Sequence, residues 1–127
     1  MNLDFISKMN TSNFYTYQPD ILGDGYQQLT LNFADDYDGK VVATLVRKKA
    51  AQTTKKAVLY VHGFTDYFFQ KEMAEQFNQH GYDFYALDLR KYGRSKLPHQ
   101  TLYYVRDLRE YDAEISKSLE IIGQENH

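Results

Sequence analysis

Hydrophobic and polar residues alternate along the first patterned part of the chain. Residues 28–33 read QLTLNF, which places apolar side chains at every second position and is typical of a half-buried strand. A second run, VVATLV at 41–46, is rich in β-branched residues, and the turn-rich stretch ADDYDGK lies between the two. This pattern predicts a β-hairpin over residues 26–49, preceded by an irregular lead-in over residues 1–25.

Farther along, short apolar runs alternate with helical periodicity. AVLYV at 57–61 and YDFYALDL at 82–89 show little alternation, as expected for strands that are covered on both faces of a sheet. Two other stretches repeat apolar residues every three or four positions, which is typical of amphipathic helices, and Gly81 and Gly123 are placed to end them. The repeated positions are Phe69, Met73, Phe77 and His80 in the first helix, and Leu108, Tyr111, Ile115, Leu119 and Ile122 in the second. Residues 57–123 therefore predict strand–helix–strand–helix in a three-layer α/β fold.

Composition narrows the class of protein. A length of 127 residues, with 43% hydrophobic and 25% charged residues, is typical of one soluble domain. The net charge of −2 provides no general attraction to nucleic acid. Cysteine is absent, which excludes disulfides, thiolate catalysis and Cys-based zinc sites. No apolar run is long enough for a signal peptide or a membrane span, so we expect a cytoplasmic protein without stable membrane insertion.

The candidate chemistry lies where the predicted strands end. In open α/β sheets, ligands bind beyond the carboxyl ends of the strands, and HGFTD follows the strand at 57–61. Gly63 is expected to let the chain bend sharply without a Cβ, so that the next amides turn toward a cleft. Preorganised N–H groups of this kind stabilise an oxyanion during acyl transfer by about 3 kcal/mol per donor.

Two segments carry a resemblance to a known family. YVHGFTDY and GYDFYALDLRKYGRS resemble the N-terminal half of an α/β-hydrolase, specifically the monoacylglycerol-lipase and lysophospholipase-like serine hydrolases, including serine aminopeptidase-type members. That family has an HG-x turn after its third strand and D-x-R-G-x-G-x-S after its fourth. Asp88, Arg90, Gly93 and Ser95 match the second motif, whereas Lys91 replaces its first loop glycine.

The resemblance implies specific roles for residues in the first motif. The backbone N–H of Phe64 would be one oxyanion-hole donor, and His62 and Gly63 would support the turn. Tyr67 and Phe68, with the Phe64 ring, either line an acyl pocket or belong to the core. No metal or organic cofactor is implied, and the partner would be a small-molecule ester or acyl substrate.

Other residues keep two interpretations. His62 either acts on substrate or is a structural hydrogen-bonding residue. Asp88 and Arg90 either contact ligand or brace their loop as an internal ion pair, with Gly93 supporting the same loop. Ser95 could act as a nucleophile with His99 as its base, but its sequence context does not favour this.

The motif that would supply the nucleophile is missing from the chain. Serine hydrolases of this fold place the serine in a G-x-S-x-G elbow, with Asp or Glu and then His later in the sequence. Only Gly93, Arg94 and Ser95 begin that pattern, and Leu97 breaks it. We therefore expect residues 1–127 to be a single partial α/β-hydrolase domain that is inactive alone. In full-length form it would hydrolyse carboxylic esters as a lipase, lysophospholipase or esterase, and its bare sheet edge is expected to favour self-association.

The sequence leaves two other classes of function open. A non-catalytic α/β interaction or assembly module would use the same elements without chemistry. A nucleotide-binding module would require G-x-G-x-x-G or G-x-x-x-x-G-K-[ST] after a strand, and neither occurs. Amide, epoxide and other chemistries share the α/β-hydrolase fold, so the sequence leaves the reaction and the substrate undecided.

Overall fold

The fold is a five-stranded mixed sheet flanked by helices. The computed structural model describes residues 15–127, so the first 14 residues of the predicted lead-in lie outside the described residues. The strands are β1 (Gln18–Pro19), β2 (Gln27–Asp36), β3 (Gly39–Lys48), β4 (Ala57–Val61) and β5 (Asp83–Asp88). The helices are α1 (Lys71–Gln79) and α2 (Asp112–Glu125), with 3-10 turns at Gly93–Ser95 and Leu108–Tyr111. The predicted order of hairpin, strand, helix, strand and helix is confirmed.

The strands are arranged in the order β1-β2-β3-β5-β4. The pairs β1/β2, β2/β3 and β3/β5 are antiparallel, and β4/β5 is parallel. The β4–β5 connection contains α1, as a parallel pair requires a crossover. β1 pairs with the start of β2, so the end of the predicted irregular lead-in takes part in the sheet.

The two helices cover opposite faces of the sheet. Successive side chains of β5 point to alternate faces, and each set belongs to a different core. Phe84 and Ala86 pack in one cluster with Ala74 of α1, while Tyr85 and Leu87 pack in the other with Ile121 of α2. The predicted three-layer arrangement follows from this division.

β4 and β5 differ in burial because they differ in position. β5 lies between β3 and β4 and is buried along its whole length. β4 pairs with β5 on one side, and no described strand pairs with its other side. Its residues are partly exposed, and Val61 is 38% exposed. The expectation that 57–61 is covered like a central strand is therefore wrong for the described part of the chain.

The first helix is shorter than its periodicity predicts. Phe69 precedes α1 and is 52% exposed, and His80 is also exposed, so neither belongs to the core face. Ala74 is the buried residue of α1. The predicted end is confirmed, because α1 stops at Gln79 and Gly81 adopts a φ of +86°, the left-handed conformation in which glycine commonly ends helices.

The buried face of α2 is displaced from the predicted stripe. Leu108 lies in the preceding 3-10 turn and is 75% exposed, and Leu119 is 56% exposed. The fully buried residues include Glu114 and Ile121. The helix also continues past Gly123 to Glu125. The displacement places a carboxylate on the core side, and this carboxylate has a partner in the candidate site.

The described residues contain no membrane-spanning helix and no metal-binding cluster. α1 has nine residues and α2 has 14, whereas a span requires about 20 apolar residues. Within residues 15–127, no helix is long and apolar enough to cross a bilayer. In the same range, no group of three or more His, Asp or Glu side chains could hold a metal ion.

Candidate functional site

The candidate site forms where two neighbouring strands end. β4 and β5 run in parallel with Val61 opposite Leu87, so their carboxyl ends reach the same edge of the sheet. The β4 loop (residues 62–70) and the β5 loop (residues 89–107) begin there. All the candidate residues from sequence lie in these loops or at the end of β5.

His62 joins the two loops through both of its ring nitrogens. It is only 6% exposed. Its Nε2 accepts a hydrogen bond from the Leu89 N–H at 3.0 Å, and its Nδ1 lies 2.8 Å from the Gly63 carbonyl oxygen. An Nε2 that accepts an amide proton carries no proton itself, so the neutral ring has its proton on Nδ1 and donates it to Gly63. The ring also packs against Tyr92 in a tilted arrangement, with 4.5 Å between centroids. The two hydrogen bonds leave neither nitrogen free for substrate.

The turn after His62 contains the predicted oxyanion donor, the backbone N–H of Phe64. Phe64 is 75% exposed, and its N–H donates to no acceptor among the described residues. The left-handed residue of the turn is Thr65, with a φ of +60°. Gly63 does not adopt a positive φ, and a Cβ there would meet no atom within 4 Å. The sequence-based reason for Gly63, a bend that excludes a Cβ, is therefore wrong for this conformation.

Asp88 braces the two loops against each other. Its side chain is fully buried. Oδ1 accepts the Phe68 N–H at 2.9 Å, and Oδ2 accepts the Arg94 N–H at 3.0 Å and Arg94 Nη1 at 2.9 Å. Arg94 also donates to both carboxylate oxygens of Asp20, at 2.7 and 2.9 Å, and to the Phe68 carbonyl at 2.8 Å. One guanidinium thus joins both loops to the segment before β2.

The predicted ion pair between Asp88 and Arg90 is wrong. Arg90 pairs instead with Glu114 of α2, which accepts the Arg90 backbone N–H at 2.6 Å and its Nε at 2.7 Å. Burial raises the pKa of the Glu114 carboxyl, although the bonds from Arg90 oppose the shift. The chain leaves β5 between the two positions, so the two side chains reach different parts of the fold.

Gly93 is the loop glycine with a steric requirement. It adopts a φ of +42°, and an added Cβ would lie 2.6 Å from the Tyr67 Cβ and 2.7 Å from Asp88 Oδ2. Real Cβ atoms do not approach other atoms this closely. The contact between the β4 and β5 loops at Tyr67 therefore depends on a residue without a side chain.

Ser95 and His99 do not form a dyad. Ser95 is fully buried. Its Oγ donates to the Asp88 carbonyl at 2.6 Å and lies 3.0 Å from Thr44 Oγ1. His99 Nε2 lies 3.1 Å from the Lys40 carbonyl oxygen. A hydroxyl with two buried partners and no base beside it is a structural group, so the nucleophile hypothesis for Ser95 is wrong in this arrangement.

The aromatic residues of the β4 loop divide between core and surface. Phe68 is fully buried, packs with Phe84 and Ala74, and belongs to the core. Three others are exposed at the mouth of the site. They are Phe64 at 75%, Phe69 at 52% and Tyr67 at 43%. The Phe64 ring meets the Tyr103 ring edge-to-face, with centroids 5.6 Å apart.

Sequence reasoning did not find several residues that hold the site together. Arg94 was noted only as part of an incomplete G-x-S-x-G pattern, and Glu114 is a charged residue next to the predicted apolar stripe. Asp20 lies in the predicted irregular lead-in, Lys91 was noted only as a departure from the second motif, and Tyr103 was given no role. The one usable signal was the position of Glu114 next to Ile115 on a predicted helix face, because a charge at such a position needs a buried partner.

The comparison with known families agrees with this geometry. Residues 52–127 match the family described as serine aminopeptidase, S33. This chain belongs to that family of α/β-hydrolases. The match includes β4, α1, β5 and α2, and therefore both loops of the candidate site. No curated protein matches the chain at a significant level.

Several solved structures are similar in fold to this S33 family member. A lipase in an open form matches with a TM-score of 0.56 at 17% identity, over 76% of this chain and 31% of the lipase. A structure of DcsB with a substrate analogue matches at 0.49 and 18% identity, covering 83% of this chain and 32% of DcsB. Acetyl xylan esterase 1 from a Thermoanaerobacterium species matches at 0.45 and 12% identity, over 98% of this chain and 42% of the esterase. The chain thus spans about a third of the lipase, and that likeness concerns the fold alone.

Proposed function

We propose that the chain forms the first part of a carboxylic-ester hydrolase and supplies one oxyanion-hole donor, the backbone N–H of Phe64. The observation that supports the proposal is that this N–H has no hydrogen-bond partner among residues 15–127. It lies in an exposed turn at the carboxyl end of β4. An unpaired backbone N–H at the ligand-binding edge of an α/β sheet is suited to a developing negative charge.

The remaining chemistry requires a nucleophile, which in this proposal lies outside these 127 residues. No G-x-S-x-G elbow occurs in the sequence, and Ser95 is buried. In the complete site, a serine hydroxyl would attack the ester carbonyl and pass its proton to a histidine. The N–H of Phe64 would stabilise the resulting oxyanion, and collapse of the intermediate would expel the alcohol, protonated by the same histidine. Water would then release the acid by the reverse sequence.

The surface beside Phe64 supports an apolar acyl group as the substrate part that binds there. Phe64, Tyr67 and Phe69 expose large parts of their rings. Aromatic side chains provide much apolar area for binding at low cost in conformational entropy. Among ester hydrolases, this favours lipase-, lysophospholipase- or esterase-like substrates over small polar ones.

A proline substitution at position 64 tests the role of the amide. In the protein that carries the nucleophile, Phe64→Pro removes the N–H and is expected to lower kcat for a p-nitrophenyl ester by about 100- to 1,000-fold. Phe64→Ala retains the N–H and is expected to keep kcat within about 10-fold, since only the ring is lost. Equal kcat values for the two variants would exclude the amide as an oxyanion donor.

The isolated 127 residues provide a second arm of the same test. A fluorophosphonate probe labels an activated serine, and we expect it to label none in this chain. Ser95 should stay unlabelled because its hydroxyl is bonded to Asp88 and Thr44. Labelling at Ser95, located by mass spectrometry, would contradict this assignment.

A second candidate, a non-catalytic assembly module, is favoured by the outer edge of β4. That edge has no strand partner among the described residues, and an unpaired edge is a template for pairing with another chain. If β4 pairs between copies, Val61→Lys should convert dimers or larger species to the 15.0 kDa monomer, because charge on an edge strand blocks pairing. Light scattering after size exclusion measures this, with Leu119→Lys on the exposed side of α2 as the matched control. Equal masses for the two variants would locate any association elsewhere.

A further inference from the structure

Lys91 occupies a position where its backbone is strained but its side chain is completely enclosed. Its φ is +68°, a conformation that favours glycine. The side chain is nevertheless fully buried. A lysine is almost never buried without partners, so the surroundings of its ammonium group must compensate both for burial and for the backbone conformation.

The ammonium group of Lys91 lies among two carboxylates and two aromatic rings. Nζ is 2.8 Å from Asp36 Oδ2 and 3.1 Å from Asp38 Oδ2. It lies 4.7 Å from the centroid of the Tyr37 ring and 5.6 Å from that of Tyr104. We call these four residues the ammonium cage. Carboxylate oxygens and aromatic faces are the groups with which proteins bind organic cations.

Most of the cage is held in place without help from Lys91. The tip of the β2–β3 hairpin supplies three of its residues. Tyr37, at the tip, is fixed by residues outside the hairpin. Its hydroxyl donates to Glu110 at 2.9 Å and accepts the Arg106 backbone N–H at 2.8 Å. The Arg106 guanidinium also lies over the Tyr37 ring, 3.9 Å from its centroid. The Asp38 N–H donates to Asp36 Oδ1 at 2.7 Å.

Burial and pairing act on the charge of Lys91 in opposite directions. Burial of the ammonium group lowers its pKa, but its contacts with Asp36 and Asp38 more than compensate, so the pKa lies above its usual value. The side chain is therefore a cation at physiological pH. Its single positive charge lies against the two carboxylates of the hairpin tip.

The backbone of Lys91 connects the cage to the turn that carries Phe64. The Lys91 carbonyl accepts the Tyr103 N–H at 3.2 Å. Tyr103 also has a left-handed backbone, with a φ of +67°, which is an outlier for a bulky residue. Its ring packs against the Tyr92 ring in a tilted arrangement, with 4.7 Å between centroids, and contacts the Phe64 ring at 5.6 Å. Two strained residues thus hold one aromatic ring against the exposed turn.

We propose that the hairpin tip and the β5 loop form a binding site for a primary ammonium group, which Lys91 fills, and that its occupancy holds Tyr103 against Phe64. Lys91 is then a positioning residue for the Phe64 turn. Strained backbone persists only where the surrounding structure over-determines it, and the cage provides that constraint from a distant hairpin. The proposal concerns the fold of these 127 residues and does not depend on hydrolysis.

Removing the side chain of Lys91 should empty the cage and allow an added amine to refill it. Lys91→Gly suits the positive φ, so the variant should fold while leaving Asp36 and Asp38 unpaired. We expect a lower Tm than wild type and displaced NMR signals for the Phe64 and Tyr103 amides. n-Butylammonium matches the missing chain of four carbons and one nitrogen. It should raise the Tm saturably and return both amide signals toward their wild-type positions.

Matched controls separate occupancy of the cage from general effects of the amine. n-Butylammonium should not raise the Tm of wild type or of Lys91→Met, because in both proteins a side chain already fills the cage. n-Butanol, which has no charge, and tetramethylammonium, which has no N–H donor, should not rescue Lys91→Gly. A gain in Tm that is the same for all three proteins would overturn the cage as a site.

Two outcomes would overturn the positioning role. Rescue of the Tm without recovery of the Phe64 amide signal would show that the cage stabilises the fold and does not set the turn. If Lys91→Gly does not fold, Asp38→Asn provides an alternative variant, because it removes only one of the two carboxylates. Asp38 lies at the rim of the cage, and its side chain is 29% exposed. That variant should shift the Phe64 and Tyr103 amide signals, and their constancy would contradict the proposal. Hydrolytic activity enters none of these measurements, so failure here is separate from failure of the proposed function.

Discussion

Replacing Arg94 by methionine is expected to lower the free energy of unfolding by about 3–5 kcal/mol, the cost of breaking a buried ion pair by removing one partner. The Arg94 side chain is only 6% exposed, and the side chains of Asp20 and Asp88 are fully buried. Methionine fills most of the space but leaves two carboxylates without a counter-charge. It also leaves the Phe68 carbonyl without its guanidinium donor. Urea unfolding followed by circular dichroism measures the loss.

The matched control is Arg109→Met. Arg109 also pairs with an aspartate, Asp107, at 2.6 Å, but its side chain is 85% exposed. Pairs at the surface contribute little because water screens them, so this variant should unfold like wild type. Similar losses for the two substitutions would show that the buried network does not stabilise the fold as inferred.

The same variant has a pH dependence of predictable sign. Burial alone would raise the pKa of the Asp20 carboxyl, but hydrogen bonds from Arg94 hold it below its ordinary value of 3.8. A carboxyl whose pKa is lower in the folded state contributes stability above pH 3.8, and this is lost as the pH falls through and below that value. Without Arg94, burial dominates and the pKa of the Asp20 carboxyl rises. Protonation then removes the buried, unpaired charge and so reduces the destabilisation of the variant. The difference in unfolding free energy between wild type and Arg94→Met should therefore narrow from neutral pH toward pH 3.8.

The fold could be predicted from the sequence because its signals are local and strong. The alternation in 28–33 and the apolar runs at 57–61 and 82–89 identify strands directly. The relation of β4 to β5 followed from the α1 crossover between them, since parallel neighbours require one. The pattern could not indicate which strand lies at the edge of the sheet. An apolar run is the same in sequence whether a neighbour covers it or not, and β4 was therefore assigned too much burial.

The loops of the candidate site were predicted in position, but the contacts within them were not. Two motifs located the β4 and β5 loops, because both follow strands that end at one edge of the sheet. The partners of Asp88 and Arg90 were not accessible, since ion pairing depends on which way each side chain leaves the strand. Arg94 is six residues from Asp88 along the chain, and Glu114 is 24 residues from Arg90. Spacings of this size have no signature that periodicity can detect.

Replacing Gly93 by alanine is expected to lower the free energy of unfolding by about 2–4 kcal/mol, through strain at a positive φ and overpacking. The new Cβ would lie 2.6 Å from the Tyr67 Cβ and 2.7 Å from Asp88 Oδ2. Neither atom can move away easily. The Tyr67 Cβ is attached to the backbone of the β4 loop, and Asp88 is held by Phe68 and Arg94.

Gly63→Ala distinguishes this steric requirement from a general need for glycine in the two loops. Gly63 has no positive φ and no atom within 4 Å of an added Cβ, so its substitution should change the unfolding free energy by at most about 0.5 kcal/mol. Chemical denaturation of both variants gives the comparison. If Gly63→Ala lowered the free energy of unfolding as much as Gly93→Ala, the turn after β4 would have less space at Gly63 than this structure shows. A negligible loss at Gly93 would mean that the two loops separate readily, and Phe64 would then not be held where an oxyanion donor has to be.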